Sequence, residues 1–168
     1  GAAIPFSSPL AEPSSQGNFY IDVVTVASAT VPPLVLFSRT DRASAAWFAS
    51  LEALPRVPTL AFLHIPLPEY KIAAAAALPM SGSMLEPVSV SQSQHLFSVL
   101  RAGGVVAAFC GHDHANDFCV RWQGVQLCYG GSAGFTAYGQ CAAGAGVSRR
   151  ARVVGLTCGT NASLSAVR

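Results

Sequence analysis

The chain has 168 residues, 51% hydrophobic and only 11% charged, enough for one domain with a real core. That balance excludes a disordered tail, and a charge content well below the usual quarter points to a piece whose apolar surface is covered by something else. The formal net charge is +2, and the basic residues cluster only at Arg149-Arg150-Ala151-Arg152, too few for a nucleic-acid footprint.

No apolar run reaches the ~18 residues of a membrane span, so no membrane partner is expected. The opening Gly1-Ala2-Ala3-Ile4-Pro5-Phe6 has neither an initiating Met nor a basic n-region. No signal peptide is read there, the chain is expected to be cut from a longer one, and the compartment stays open. Cys110, Cys119, Cys128, Cys141 and Cys158 are an odd set in a chain of ordinary size. They are expected to be small buried apolar residues and not a disulfide framework. Asn161-Ala162-Ser163 is a glycosylation triplet that needs a secretory context to matter.

Residues 1–17 are rich in Ser, Pro and Ala and read as loop or a frayed start. Phe19 to Val26 is β-branched and aromatic and reads as a strand, broken by Pro32-Pro33. Leu34 to Phe37 is a short second strand, beside the first or in a hairpin with it. A helix opens after Thr40, its expected N-cap, with Trp47, Leu51 and Leu54 on one face, widened by Phe48, and Pro55 as its stop. Pro58 to Leu63 is a third strand that runs directly into His64-Ile65-Pro66-Leu67-Pro68-Glu69-Tyr70, where two prolines stiffen the turn.

Residues 71–90 are alanine-rich, then rich in Gly, Ser, Met and Pro, and read as surface loop or a short helix and a loop. Ser91 or Ser93 caps a helix whose buried stripe is Leu96, Val99 and Leu100 and whose end is Gly103-Gly104. His95 falls at the edge of that stripe and is expected in solvent. Val105 to Phe109 is a buried strand that ends in Cys110-Gly111-His112-Asp113-His114-Ala115-Asn116-Asp117. Phe118 to Trp122 and Val125 to Tyr129 flank Gln123-Gly124, a hairpin signal. Gly130 to Gly139 is a Gly-rich loop without phosphate-loop spacing. Arg152 to Leu156 is a last strand before a polar tail. Helices and strands alternate and then strands follow one another, which predicts an α/β layered domain with a mixed sheet.

Two strand-end loops therefore carry three imidazoles: His64, His112 and His114. Neighbouring strands would bring their tips within ligand reach. Three His can hold one zinc with an open position, or form half of a two-metal site whose ions lie ~3.5–4 Å apart. Asp113 and Asp117 are expected either as carboxylate ligands or as partners that orient the imidazoles. The plain alternative is that one His caps the loop and the other is solvated.

Gly111-His112-Asp113-His114, preceded by a strand ending at His64, resembles the C-terminal half of the calcineurin-like metallophosphoesterases. The surrounding blocks are closer to the purple-acid-phosphatase-like branch. They are Phe62 to Tyr70, Gly111 to His114 with Asn116-Asp117-Phe118-Cys119, Leu127-Cys128-Tyr129-Gly130, and Arg149 to Val154. The resemblance implies that residues 1–168 are the C-terminal portion of a single domain, with 1–17 and 157–168 loop or frayed, and half of a four-layer α/β/β/α sandwich. It implies His64 and His112 as ligands of one metal ion and His114 as a ligand of the other, with Fe, Zn or Mn as the pair. It implies hydrolysis of a phosphate ester by a metal-activated hydroxide. The three upstream motifs that supply the remaining ligands are absent here, so this chain alone is expected to be inactive and the missing N-terminal half is its first partner. Val120 stands where a Gly is usual, and Phe37-Ser38 keeps only the Ser of an Asp-Ser step. Two rivals are a non-catalytic phosphoesterase-like module that binds a protein, and a small zinc site joining His112 and His114 to Cys110 or Cys119.

Overall fold

The computed structural model describes residues 19–21, 34–37, 39–51, 58–93, 95–134, 149–157 and 163–167. The expectations for residues 1–17, 22–26, 32–33, 54–55 and 135–139, and for Cys141, Cys158 and Asn161, lie outside them. Among the described residues the order is β1 (Phe19–Ile21), β2 (Leu34–Phe37), α1 (Arg42–Ser50), β3 (Thr59–Leu63), α2 (Pro68–Ala75) and β4 (Met80–Ser81). Then come α3 (Leu96–Ala102), β5 (Val105–Cys110), β6 (Cys119–Trp122), β7 (Val125–Tyr129), β8 (Val153–Thr157) and β9 (Ser163–Val167).

Seven of these strands form one sheet in the order β1-β2-β3-β5-β7-β6-β4, and β8 pairs with β9 in a second. The middle is parallel, β2 to β3 to β5 to β7, and both margins are antiparallel. Parallel neighbours need long crossovers, which α1 supplies between β2 and β3, and α2 with α3 between β3 and β5. The expected mixed α/β layer is therefore present.

Strand alternation sorts the side chains onto two faces. Ala61 and Leu63 of β3 join Phe48 of α1, Tyr70 of α2, Leu96 and Leu100 of α3, and Leu127 of β7 in one core. All three helices thus cover the same face. Leu60, Phe109, Cys119 and Cys128 lie on the other, with Val154 of β8 packed against them. The register slips once, between Thr59 and Leu60, where Val106 has no partner on β3. After that bulge the two strands run in phase, and Phe62 stacks on Phe109 with ring centroids 5.2 Å apart.

The local signals are read closely with a few exceptions. The α1 cap is Asp41, whose Oδ1 accepts the Ser44 N–H at 2.9 Å, and not Thr40, because the carboxylate reaches the third helical amide. In α3 the Ser93 hydroxyl accepts the Leu96 N–H at 3.3 Å, as expected, and His95 is exposed. Gly103 ends α3 because Phe48 packs there: a Cβ would sit 2.5 Å from its ring. Gln123 and Gly124 turn the β6–β7 hairpin with φ of 46° and 89°. The tail expected to be frayed contains β9, which β8 pairs along its length.

One expectation is overturned outright. Cys119 and Cys128 are joined in a disulfide across the β6–β7 hairpin, where the register sets them directly opposite. Spacing and parity could not reveal this, because adjacency across a hairpin depends on register. Cys110 is the free buried thiol among the described residues.

Candidate functional site

His64 is the first residue past β3, and His112 the second past β5. The parallel pairing of those strands puts both at one edge of the sheet. The join is direct: the Gly111 N–H donates to the His64 carbonyl at 3.0 Å. A Cβ on Gly111 would lie 3.7 Å from His64 Nδ1. The His64 and His112 rings meet edge to face with centroids 5.3 Å apart. His64 is exposed and His112 half-buried, so the pair opens at the surface.

His112 carries the sharpest local feature. Its φ is +72°, and the Asp113 N–H donates back to the Gly111 carbonyl at 2.9 Å, a γ-turn centred on an L-residue with a large side chain. Glycine would be the default there. Left-handed backbone at a non-glycine residue costs about 1–2 kcal/mol and collects at functional sites. The side chain, not the backbone, is the reason for a histidine at this position.

The carboxylates of the loop have a different task from either role expected of them. Asp113 is 3% exposed, and its Oδ2 accepts the Ser89 N–H at 3.0 Å and the Tyr129 hydroxyl. Burial, and then that bond to Asp113, push the Tyr129 hydroxyl well above the ordinary phenol range, so it stays a donor. Asp117 Oδ1 accepts the Ser83 N–H at 2.6 Å, and Oδ2 pairs with Arg150. Asn116, fully buried, accepts from the Leu85 and Glu86 amides at 2.9 and 3.1 Å, while Glu86 Oε1 accepts the Ala115 N–H at 2.6 Å. The three side chains fasten the segment 83–89 to the histidine loop. Asx side chains bonding loop amides is the signal that could have announced this.

Tyr70 and Cys110 lie beneath the loop. The Tyr70 hydroxyl donates to the Ala108 carbonyl at 2.7 Å, and burial holds both the phenol and the Cys110 thiol well above their usual ranges. A neutral buried Cys110 and a disulfide-bonded Cys119 leave no thiolate for the zinc site that would have joined them to His112 and His114.

His114 is half-buried, with its Nδ1 shielded from solvent. Among the described residues no three His, Cys, Asp or Glu side chains form a group placed to hold a metal ion. The structure thus pairs His64 with His112 and leaves His114 outside a three-ligand group. Two adjoining imidazoles at an open edge suit part of a coordination sphere, and the remaining donors would come from elsewhere.

No protein-family profile matches the chain, and no solved structure matches it. Curated proteins do. The chain is 42% identical over 99 residues to "Probable inactive purple acid phosphatase 29" of Arabidopsis thaliana, covering 58% of this chain and 24% of that protein. It is 38% identical over 101 residues to "Probable inactive purple acid phosphatase 14" of the same plant, covering 58% and 23%. It is 36% identical over 83 residues to "Phosphatase DCR2" of Saccharomyces cerevisiae, covering 44% and 14%. The chain spans about a quarter or less of the length of these relatives. By sequence, this chain is a relative of the purple-acid-phosphatase-like proteins.

Proposed function

We propose that the chain is part of a metal-dependent phosphoric ester hydrolase, the C-terminal portion of one calcineurin-like domain of four α/β/β/α layers. The single observation that carries the reading is the His64–His112 pair, built by two parallel strand tips and held at a backbone cost at His112. In this reading His64 and His112 are ligands to one metal ion and His114 to a second, with Fe, Zn or Mn as the pair. Such ions supply Lewis acidity at phosphorus and acidify water. The chain's own residues set the geometry. Gly111 ties the two strand tips together, Asp113 and Tyr129 anchor the loop from below, and Asn116 and Asp117 hold its outer wall. The substrate is a phosphate ester, and the partner within the protein is the N-terminal half that would supply the other ligands.

The test is hydrolysis of p-nitrophenyl phosphate by the full-length protein. Chelation should abolish the activity, and metal should restore it. His64→Ala and His112→Ala should each lower kcat/KM by ~100-fold or more. A full-length protein with both histidines intact and no metal-dependent hydrolysis would remove the reading.

A second reading, a non-catalytic phosphoesterase-like module that binds a protein, is favoured by one observation: three relatives carry "probable inactive" in their names. It predicts a folded full-length protein that takes up no metal.

A further inference from the structure

The basic cluster that is too small for nucleic acid turns out to be folded against the histidine loop. A cavity of about 350 Å³ is lined by Ser81, Gly82 and Ser83 at the end of β4, Asp117, Gly130, and Arg150-Ala151-Arg152. That volume is at the small end of the roughly 300–1,000 Å³ of ligand clefts. Its place is set by the sheet. Gly130 follows β7, which runs parallel to β5, and its N–H donates to the Cys110 carbonyl at 2.7 Å. Asp117 belongs to the same loop as His112 and His114. The cavity therefore adjoins the histidine loop on the β7 side, at the same edge of the sheet as the His64–His112 pair.

Its lining carries two guanidiniums against one carboxylate. Arg152 is fixed by two carbonyls, Nε donating to Tyr129 at 2.7 Å and Nη2 to Asp117 at 2.5 Å. Arg150 pairs with the Asp117 carboxylate, and its backbone N–H donates to the Ser132 carbonyl at 2.9 Å. Both charges are thus held in position before a ligand arrives, which lowers the ordering cost of binding. Forked guanidiniums with two serine hydroxyls beside them match a tetrahedral oxyanion better than a point charge would.

We propose that this cavity is a subsite for a second phosphate group on the substrate. Resting on the phosphatase reading, it makes the preferred substrate a bisphosphorylated compound and not a lone monoester.

Two measurements decide it. The first titrates inorganic phosphate into the 168-residue chain with chelator present, so that no metal centre contributes. Saturable binding that Arg150→Gln weakens by ~10-fold supports the subsite, with circular dichroism showing that the variant keeps its fold. If Arg150→Gln does not fold, Ser81→Glu, which places a like charge at the cavity wall, should weaken binding equally. No saturable binding, or binding indifferent to these changes, overturns the proposal. The second compares kcat/KM for a bisphosphate and for p-nitrophenyl phosphate in the full-length protein. A preference for the bisphosphate that Arg150→Gln erases supports the subsite, and an unchanged ratio overturns it. Hydrolysis of neither ester sinks the phosphatase reading itself, and the substrate role falls with it even where the chain binds phosphate.

Discussion

At His112 one residue sets backbone against side chain. A φ of +72° favours glycine, yet the position carries an imidazole that meets His64. The two contributions separate by substitution. His112→Ala keeps the left-handed strain and loses the ring contact, whereas His112→Gly loses the ring and relieves the strain. The glycine variant should be more stable than the alanine variant by about 1 kcal/mol, read from urea unfolding midpoints. Equal stabilities would mean that the turn is not strained. Glu69 offers a test by pH. It lies in the first turn of α2, where the helix dipole favours a negative charge. Burial nevertheless raises its pKa above 4.5, and Oε2 is buried with no hydrogen-bond partner among the described residues. A raised folded pKa gives stability that is present below the unfolded value and is lost as pH rises through the folded one. Glu69→Gln should therefore stabilise the protein at pH 7, with the gain vanishing below about pH 4.5, as thermal unfolding across that range would show. A gain that persists at low pH would place its origin in packing and not in charge.

The clasp between the histidine loop and segment 83–89 belongs to the scale of elements. Sequence reading marks 71–90 as a low-complexity surface loop, because alanine and serine carry no periodic signal. The structure shows what it is tied to: Asn116, Asp113 and Asp117 accept amides from five residues downstream of Gly82, namely Ser83, Leu85, Glu86 and Ser89 by name, with Ala115 returning a bond to Glu86. Asn116→Ala removes one acceptor that serves two amides and should cost about 1–3 kcal/mol. Amide exchange at Leu85 and Glu86 should rise while β5 keeps its protection. Uniform loss of protection would mean that Asn116 supports the whole core and not the clasp. The hairpin beside it has its own tie, the Cys119–Cys128 disulfide, which closes a loop of 9 residues. In the chain-entropy account a loop of that length contributes on the order of 2–3 kcal/mol. Five cysteines at uneven spacing hide this, whereas the hairpin turn Gln123-Gly124 sets the register that brings the two opposite.

For the whole molecule, sequence alone exposed the elements whose signals are local: the strands around Leu60 and Ala107, the α3 cap, the hairpin turn. It also exposed that His64 and His112 end neighbouring strands, since apolar runs stopping at a polar loop place them so. What stayed hidden depends on packing at a distance. That covers the helices gathered on one face, the bulge at Val106 that brings the strands into phase, and the arginines folded against Asp117 and Tyr129. The relatives bear out the resemblance and name phosphatases, while spanning about four times the length of this chain or more. The central claim is that two parallel strand tips bring His64 and His112 together to hold a metal ion. The measurement that meets it most directly is metal content per chain of the full-length protein by mass spectrometry. The account predicts two ions, one lost in His64→Ala and in His112→Ala and the other in His114→Ala. Full-length protein that takes up no metal on addition, or a metal load untouched by His64→Ala and His112→Ala, would contradict it.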